Sequence, residues 1–159
     1  MVPVISELEE DDKYLRFRIS KINVSLANGI RRIIVGDIPT LIFRTSPHDK
    51  DKSEVFVNTS RMNNELIKQR LSCVPIHITD TAFAYEEHIV EIHKKNDSQE
   101  IQYVTTADFK IKNTVSDMYL TDAACRAVFP PNTITGDFID IVRLRPRLSD
   151  TMPGEELHM

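Results

Sequence analysis

The stretch SLANGIRRIIVGDIPT, residues 25–40, decides how the first part of this chain folds. Its large apolar residues recur at i, i+4, i+7 and i+8, which is the spacing of one face of an α-helix. Ser25 is a suitable N-cap, and Gly36 followed by Pro39 favours an end to the helix near residue 36. The sequence therefore predicts a helix over 25–36. Its apolar face consists of Leu26, Ile30, Ile33 and Ile34.

A second face of the same helix carries adjacent arginines. At about 100° per residue, Arg31 and Arg32 project away from the isoleucines, together with Asn28 and Val35. An unpaired guanidinium is costly to bury, so the arginines are expected outside the apolar core. A solvated helix face is one interpretation. A partner-binding face is the other, because arginine beside an apolar residue is typical of interface hot spots.

The regions around this helix favour β-strands. Residues 14–22 alternate apolar and polar side chains, and 3–10 precede them across an acidic EEDD turn, so a hairpin is expected. A second helix is expected over 61–71, capped by Ser60 and ended before Pro75. Further strand-like runs are 41–43, 54–58, 75–78, 88–93, 101–105, 108–112 and 138–148. The predicted fold class is α+β, with antiparallel strands and few helices.

The composition of the chain argues against several classes of function and binding site. The chain has 159 residues with a formal net charge of -4, which argues against a dedicated nucleic-acid binder. Its four glycines form no phosphate-binding loop, and Cys73 and Cys125 cannot supply a four-thiolate metal site. No catalytic acid–base cluster, metal site or cofactor site is predicted. Three alternating arginines at 143–147 leave open a standalone nucleic-acid-binding or transcription-regulatory protein.

Two longer motifs carry a family resemblance. Residues 25–39 have the form S-x-A-N-x-(I/L)-R-R followed by (E/D)-(I/V)-P, and 64–75 have the form (D/N)-E-x-(I/L)-x-x-R-L-(G/S)-x-(I/V)-P. Together they resemble the alpha-type assembly subunits of multisubunit DNA-directed RNA polymerases. That family includes the bacterial alpha amino-terminal domain, the archaeal D-type assembly subunit and the third-largest subunit of eukaryotic RNA polymerase II. The residues between the motifs resemble versions from large nucleocytoplasmic DNA viruses.

The resemblance implies an architecture. Residues 1–42 would be the first part of a dimerisation domain, 43–152 an inserted β-rich domain, and 153–159 the start of the returning dimerisation segment. The family continues past this point, so the chain resembles a truncated version, and unaided dimerisation is not expected. Some relatives hold an iron–sulfur centre or zinc in the insert, which two cysteines alone cannot do.

The resemblance also implies a function and partners. The expected role is a non-catalytic scaffold in transcription. Its partners would be a small subunit-L-like or eleventh-subunit-like protein, which is fused downstream in some viral relatives, the second-largest subunit, and a small zinc-binding subunit. No direct DNA contact and no membrane are expected, and the location would be intracellular: the nucleus, or the cytoplasm or virion for a virus. The expected interface residues are Asn28, Arg31, Arg32, Val35, Glu65 and Arg70, with Leu26, Ile30, Ile33 and Ile34 as the dimerisation face.

Overall fold

The computed structural model describes residues 2–11, 14–78, 80, 83–149 and 151–159. They divide into two compact units, Met1–Thr40 (unit 1) and Leu41–Met159 (unit 2). The described residues form three α-helices, and their strand pairs are antiparallel, which confirms the predicted α+β class. No helix in these ranges is long and apolar enough to cross a bilayer.

Unit 1 consists of a hairpin and one helix. Strands β1 (Val4–Glu10) and β2 (Leu15–Ser20) pair antiparallel, with an irregularity between Ser6 and Glu9. Part of the predicted EEDD turn, residue 12, lies outside the described residues. Helix α1 spans Val24–Gly36, as its apolar spacing predicts. None of the described residues of unit 1 is buried, which fits the difficulty of building a core from about 40 residues.

Unit 2 is built around antiparallel sheets. A five-stranded sheet has the order β3-β9-β4-β6-β7, and β5 pairs with β8 in a separate ribbon. The strands are β3 (Val57–Asn58), β4 (His88–Lys95), β5 (Gln102–Thr105), β6 (Phe109–Asn113), β7 (Met118–Tyr119), β8 (Asp140–Leu144) and β9 (Glu156–His158). The helices are α2 (Asn64–Ser72) and α3 (Asp122–Val128).

The core of unit 2 joins these elements. Ile67 from α2, Ile92 from β4 and Leu157 from β9 are almost completely buried. Phe43 stacks on Phe129 of the segment after α3, with ring centroids 6.0 Å apart. Unit 2 therefore has a hydrophobic core of its own, as expected for a unit of about 120 residues.

A close crossing holds the last residues of unit 2 in place. A Cβ atom at Gly154 would lie only 1.6 Å from the carbonyl oxygen of Asn96, so no side chain fits there. The completely buried Asn96 side chain donates from Nδ2 to the carbonyls of Glu100, at 2.8 Å, and Leu144, at 3.0 Å. Its Oδ1 accepts from the backbone and hydroxyl of Ser98. These bonds tie the end of β4 to β8.

Several predicted boundaries are wrong for local reasons. The N-cap of α1 is Asn23, whose Oδ1 accepts from the Ser25 N–H at 2.8 Å. The second helix begins at Asn64, because Asn63 rather than Ser60 caps it.

Two predicted strands do not form. Residues 41–43 and 75–78 adopt no strand. Phe43 and Ile76 each pack on the core, whereas Ile42 is exposed. The strand predicted over 138–148 is confined to β8. The sequence also did not indicate β7 or α3.

Candidate partner-binding surfaces

The first candidate surface is the arginine face of α1, defined by Asn28, Arg31, Arg32 and Val35. All four side chains are exposed, and Val35 keeps 78% of its surface accessible. The Arg31 guanidinium donates from Nε and Nη2 to Oδ1 of Asn28, at 3.1 and 3.0 Å. Arg32 makes no such bond within the described part of the chain. One arginine is therefore held by a neighbour on its own helix, while the other is not.

The second candidate surface is the isoleucine face of α1, defined by Leu26, Ile30, Ile33 and Ile34. More than half of the surface of Leu26, Ile33 and Ile34 is accessible, and Ile30 is only partly covered. No residue of α1 is buried, so this face is not enclosed by the described residues. Nor do the hairpin strands hide their apolar residues: Ile5 and Leu15 are each more than half exposed.

The remaining predicted interface residues lie on α2, in unit 2. Glu65 is exposed and forms no ion pair with Arg70 among the described residues. Arg70 instead donates from Nη1 to the carbonyl oxygen of Ile141 at 2.9 Å, which ties α2 to β8. Arg70 is therefore bonded to the backbone of β8 rather than to Glu65. The six predicted interface residues are divided between the two units.

The opposite side of α2 is held by an ion pair. Lys68 donates to Oδ2 of Asp51 at 2.6 Å and to the Ser53 carbonyl at 2.9 Å. The bond from Lys68, followed by the hydroxyl and N–H of Ser53, lowers the pKa of Asp51 to about 2. This pair fastens the loop before β3 to the helix that carries Glu65 and Arg70.

The basic segment at 143–147 does not form one continuous arginine ribbon. Only Arg143 lies within β8, which ends at Leu144. Arg145 is paired with the buried carboxylate of Glu155, to which it donates from Nε and from its backbone N–H. The charge of Arg145, one of the three arginines of this segment, is therefore neutralised within unit 2.

The rings of His88, His93 and His158 contact neighbouring side chains. His93 lies 3.0 Å from Glu156 through Nε2 and stacks on His158, with ring centroids 4.6 Å apart. Within the described ranges, no group of three or more potential ligands is arranged to hold a metal ion.

Comparison with known proteins shows that about half of the chain is similar to subunits of DNA-directed RNA polymerases. The matched proteins are the alpha-like subunits of these polymerases. The chain is 32% identical over 74 residues to "DNA-directed RNA polymerases IV and V subunit 3B" of Arabidopsis thaliana, a match covering 46% of the chain and 21% of that protein. It is 32% identical over 75 residues to human "DNA-directed RNA polymerases I and III subunit RPAC1", covering 47% and 20%.

An archaeal relative extends the match. The chain is 31% identical over 80 residues to "DNA-directed RNA polymerase subunit Rpo3" of Methanosarcina mazei, covering 50% of the chain and 27% of that protein. The matches thus span a quarter or less of the plant and human relatives and slightly more of the archaeal one. No protein-family model matches the chain. The resemblance to alpha-like polymerase subunits is confirmed, whereas the resemblance to viral versions stays a prediction.

Proposed function

We propose that this chain is a non-catalytic assembly subunit of a multisubunit DNA-directed RNA polymerase. The proposal rests on its similarity to alpha-like subunits from a plant, human and an archaeon. The isoleucine face of α1 would pair with a small subunit-L-like or eleventh-subunit-like partner. The arginine face would dock the second-largest subunit, and a small zinc-binding subunit is a further partner. An intracellular site of action follows from this role.

One observation carries the partner-binding part of the proposal: α1 is amphipathic, yet neither of its faces is buried. Exposed isoleucine and leucine side chains on one helix lose favourable burial unless another surface covers them. On the opposite side, guanidinium groups can bind carboxylates or carbonyls through paired N–H groups, which lysine cannot do. Unit 1 therefore has the chemistry to join two different protein surfaces.

The same proposal assigns the units. The division after Thr40 supports placing the first part of the dimerisation domain at residues 1–42 and the insert from 43 onwards. Residues 156–158 form β9 between β3 and β4, and Leu157 is completely buried in unit 2. We therefore extend the proposed insert to include residues 153–159, in place of the boundary at 152.

The test is co-purification with the second-largest subunit and the small partner from the same organism. Arg32→Ala is expected to weaken capture of the second-largest subunit about tenfold or more, the usual size of a hot-spot loss. Arg61→Ala, an exposed arginine of unit 2, is the matched control and should leave capture unchanged. The circular dichroism spectrum of Arg32→Ala should match that of the unaltered chain, which would show that the fold is unchanged. Equal capture by Arg32→Ala and the unaltered chain would remove Arg32 from the proposed interface.

A further inference from the structure

We infer that Asn28 positions Arg31 so that one edge of its guanidinium is presented to a carboxylate of the second-largest subunit. The inference rests on the proposed function and assigns different roles to the two adjacent arginines. Arg31 is the arginine oriented before binding, Arg32 is oriented only when the partner binds, and Asn28 is a positioning residue.

The hydrogen bonds define which edge is available. A guanidinium offers two pairs of N–H groups to a carboxylate, one on the Nε–Nη2 side and one between the two Nη atoms. Oδ1 of Asn28 accepts from both Nε and Nη2 of Arg31, so it occupies the first of these edges. The edge between Nη1 and Nη2 stays open to a partner. Arg31 therefore has one donor edge left for a planar anion.

The helix explains why Asn28 selects Arg31. Residues three and four apart are neighbours on an α-helix, so Asn28 lies beside both Arg31 and Arg32. In the structure its oxygen is bound to Arg31 alone. Val35 lies one turn further on and is exposed. The complementary partner surface thus offers a carboxylate at Arg31 and an apolar contact at Val35.

Orientation before binding changes affinity in a measurable way. An arginine that is already held loses less side-chain freedom when the complex forms, and each immobilised side chain typically accounts for about a three- to tenfold change in affinity. Asn28→Ala is therefore expected to weaken binding about three- to tenfold through Arg31. The same substitution should have little effect when Arg31 is already alanine.

A double-mutant cycle on the full chain tests this coupling. The dissociation constant for the second-largest subunit is measured for Asn28→Ala, Arg31→Ala and the pair, and for Arg32→Ala with and without Asn28→Ala as the matched control. In the Arg31→Ala variant, we expect Asn28→Ala to raise the dissociation constant less than about twofold. In the Arg32→Ala variant, the same substitution should raise it by the full three- to tenfold. Equal costs on both backgrounds would overturn the positioning role and leave the proposed function intact. No binding by the unaltered chain would overturn both.

NMR of the free chain gives a readout of Arg31 that does not depend on partner binding. The Nε proton of Arg31 should exchange with water more slowly than that of Arg32, and Asn28→Ala should abolish the difference; equal exchange in the unaltered chain would overturn the inference.

Discussion

Unit 1 and unit 2 are both rich in apolar residues, but only unit 2 covers them. Among the described residues, all 14 buried hydrophobic side chains belong to unit 2. Unit 1 has the alternating strand and amphipathic helix that normally enclose a core, yet its apolar side chains stay accessible. The pattern of a segment therefore predicts which residues can be buried, while the size of the unit decides whether the chain buries them itself.

The largest effect expected from this contrast comes from removing matched leucines. Leu157 is completely buried in unit 2, whereas Leu26 in unit 1 is more than half exposed. Leu157→Ala should lower the free energy of unfolding by about 2–5 kcal/mol, because it removes buried carbon and leaves a cavity. Leu26→Ala should change it by less than about 0.5 kcal/mol. Urea unfolding of the free chain followed by circular dichroism measures both; equal losses would mean that unit 1 has a core of its own.

A smaller effect is expected from the buried amide of unit 2. Asn96→Ala removes the donors to Glu100 and Leu144 and should cost about 1–3 kcal/mol. Asn132→Ala is the control, since the Asn132 side chain is also hydrogen-bonded to backbone, accepting from two N–H groups, but is exposed. Its cost should be about 0.5 kcal/mol or less. If both substitutions lower the urea midpoint equally, burial does not account for the role of Asn96.

The smallest effect depends on pH and tests the attachment of α2. Because the folded pKa of Asp51 is about 2, below the value near 3.9 typical of an unfolded chain, folding is favoured while this carboxylate is ionised. The contribution, about 1 kcal/mol after allowing for water near Lys68, is complete above about pH 5. It is lost as the pH falls from about 4 to 2.

Comparison of two variants isolates that contribution. In Asp51→Asn the urea midpoint should fall less between pH 6 and 2 than in the unaltered chain. Asp97→Asn, which alters an exposed ion pair with Lys95, should follow the unaltered chain. The same acid slope in all three proteins would remove the Lys68–Asp51 pair as a stabilising contact.

The sequence predicted the elements with a strong period and missed those that depend on distant contacts. Helix α1 has four apolar residues on one face and was found within one residue at its start. Residues 41–43 are just as apolar, but Phe43 packs between aromatic rings rather than along a strand. Short runs carry too little periodic signal to distinguish these outcomes.

For the candidate surfaces, helical geometry separates the arginines from the isoleucines of α1 without any tertiary information. Helical geometry could not show that Arg70 donates a hydrogen bond to the carbonyl of Ile141, which is 71 positions away in sequence. It also could not show that Glu155 binds Arg145, since only folding brings that carboxylate beside the basic segment. Contacts between side chains far apart in sequence leave no local pattern to read.

The crossing at Gly154 also has a use in comparing sequences. Any chain that keeps this path past Asn96 has no room for a Cβ atom at the equivalent position. A diverged relative with glycine there is compatible with the same crossing, whereas one with a larger residue must route the segment differently. Once the segment around Gly154 has been aligned, this one position can thus sort distant relatives by the path of their backbone.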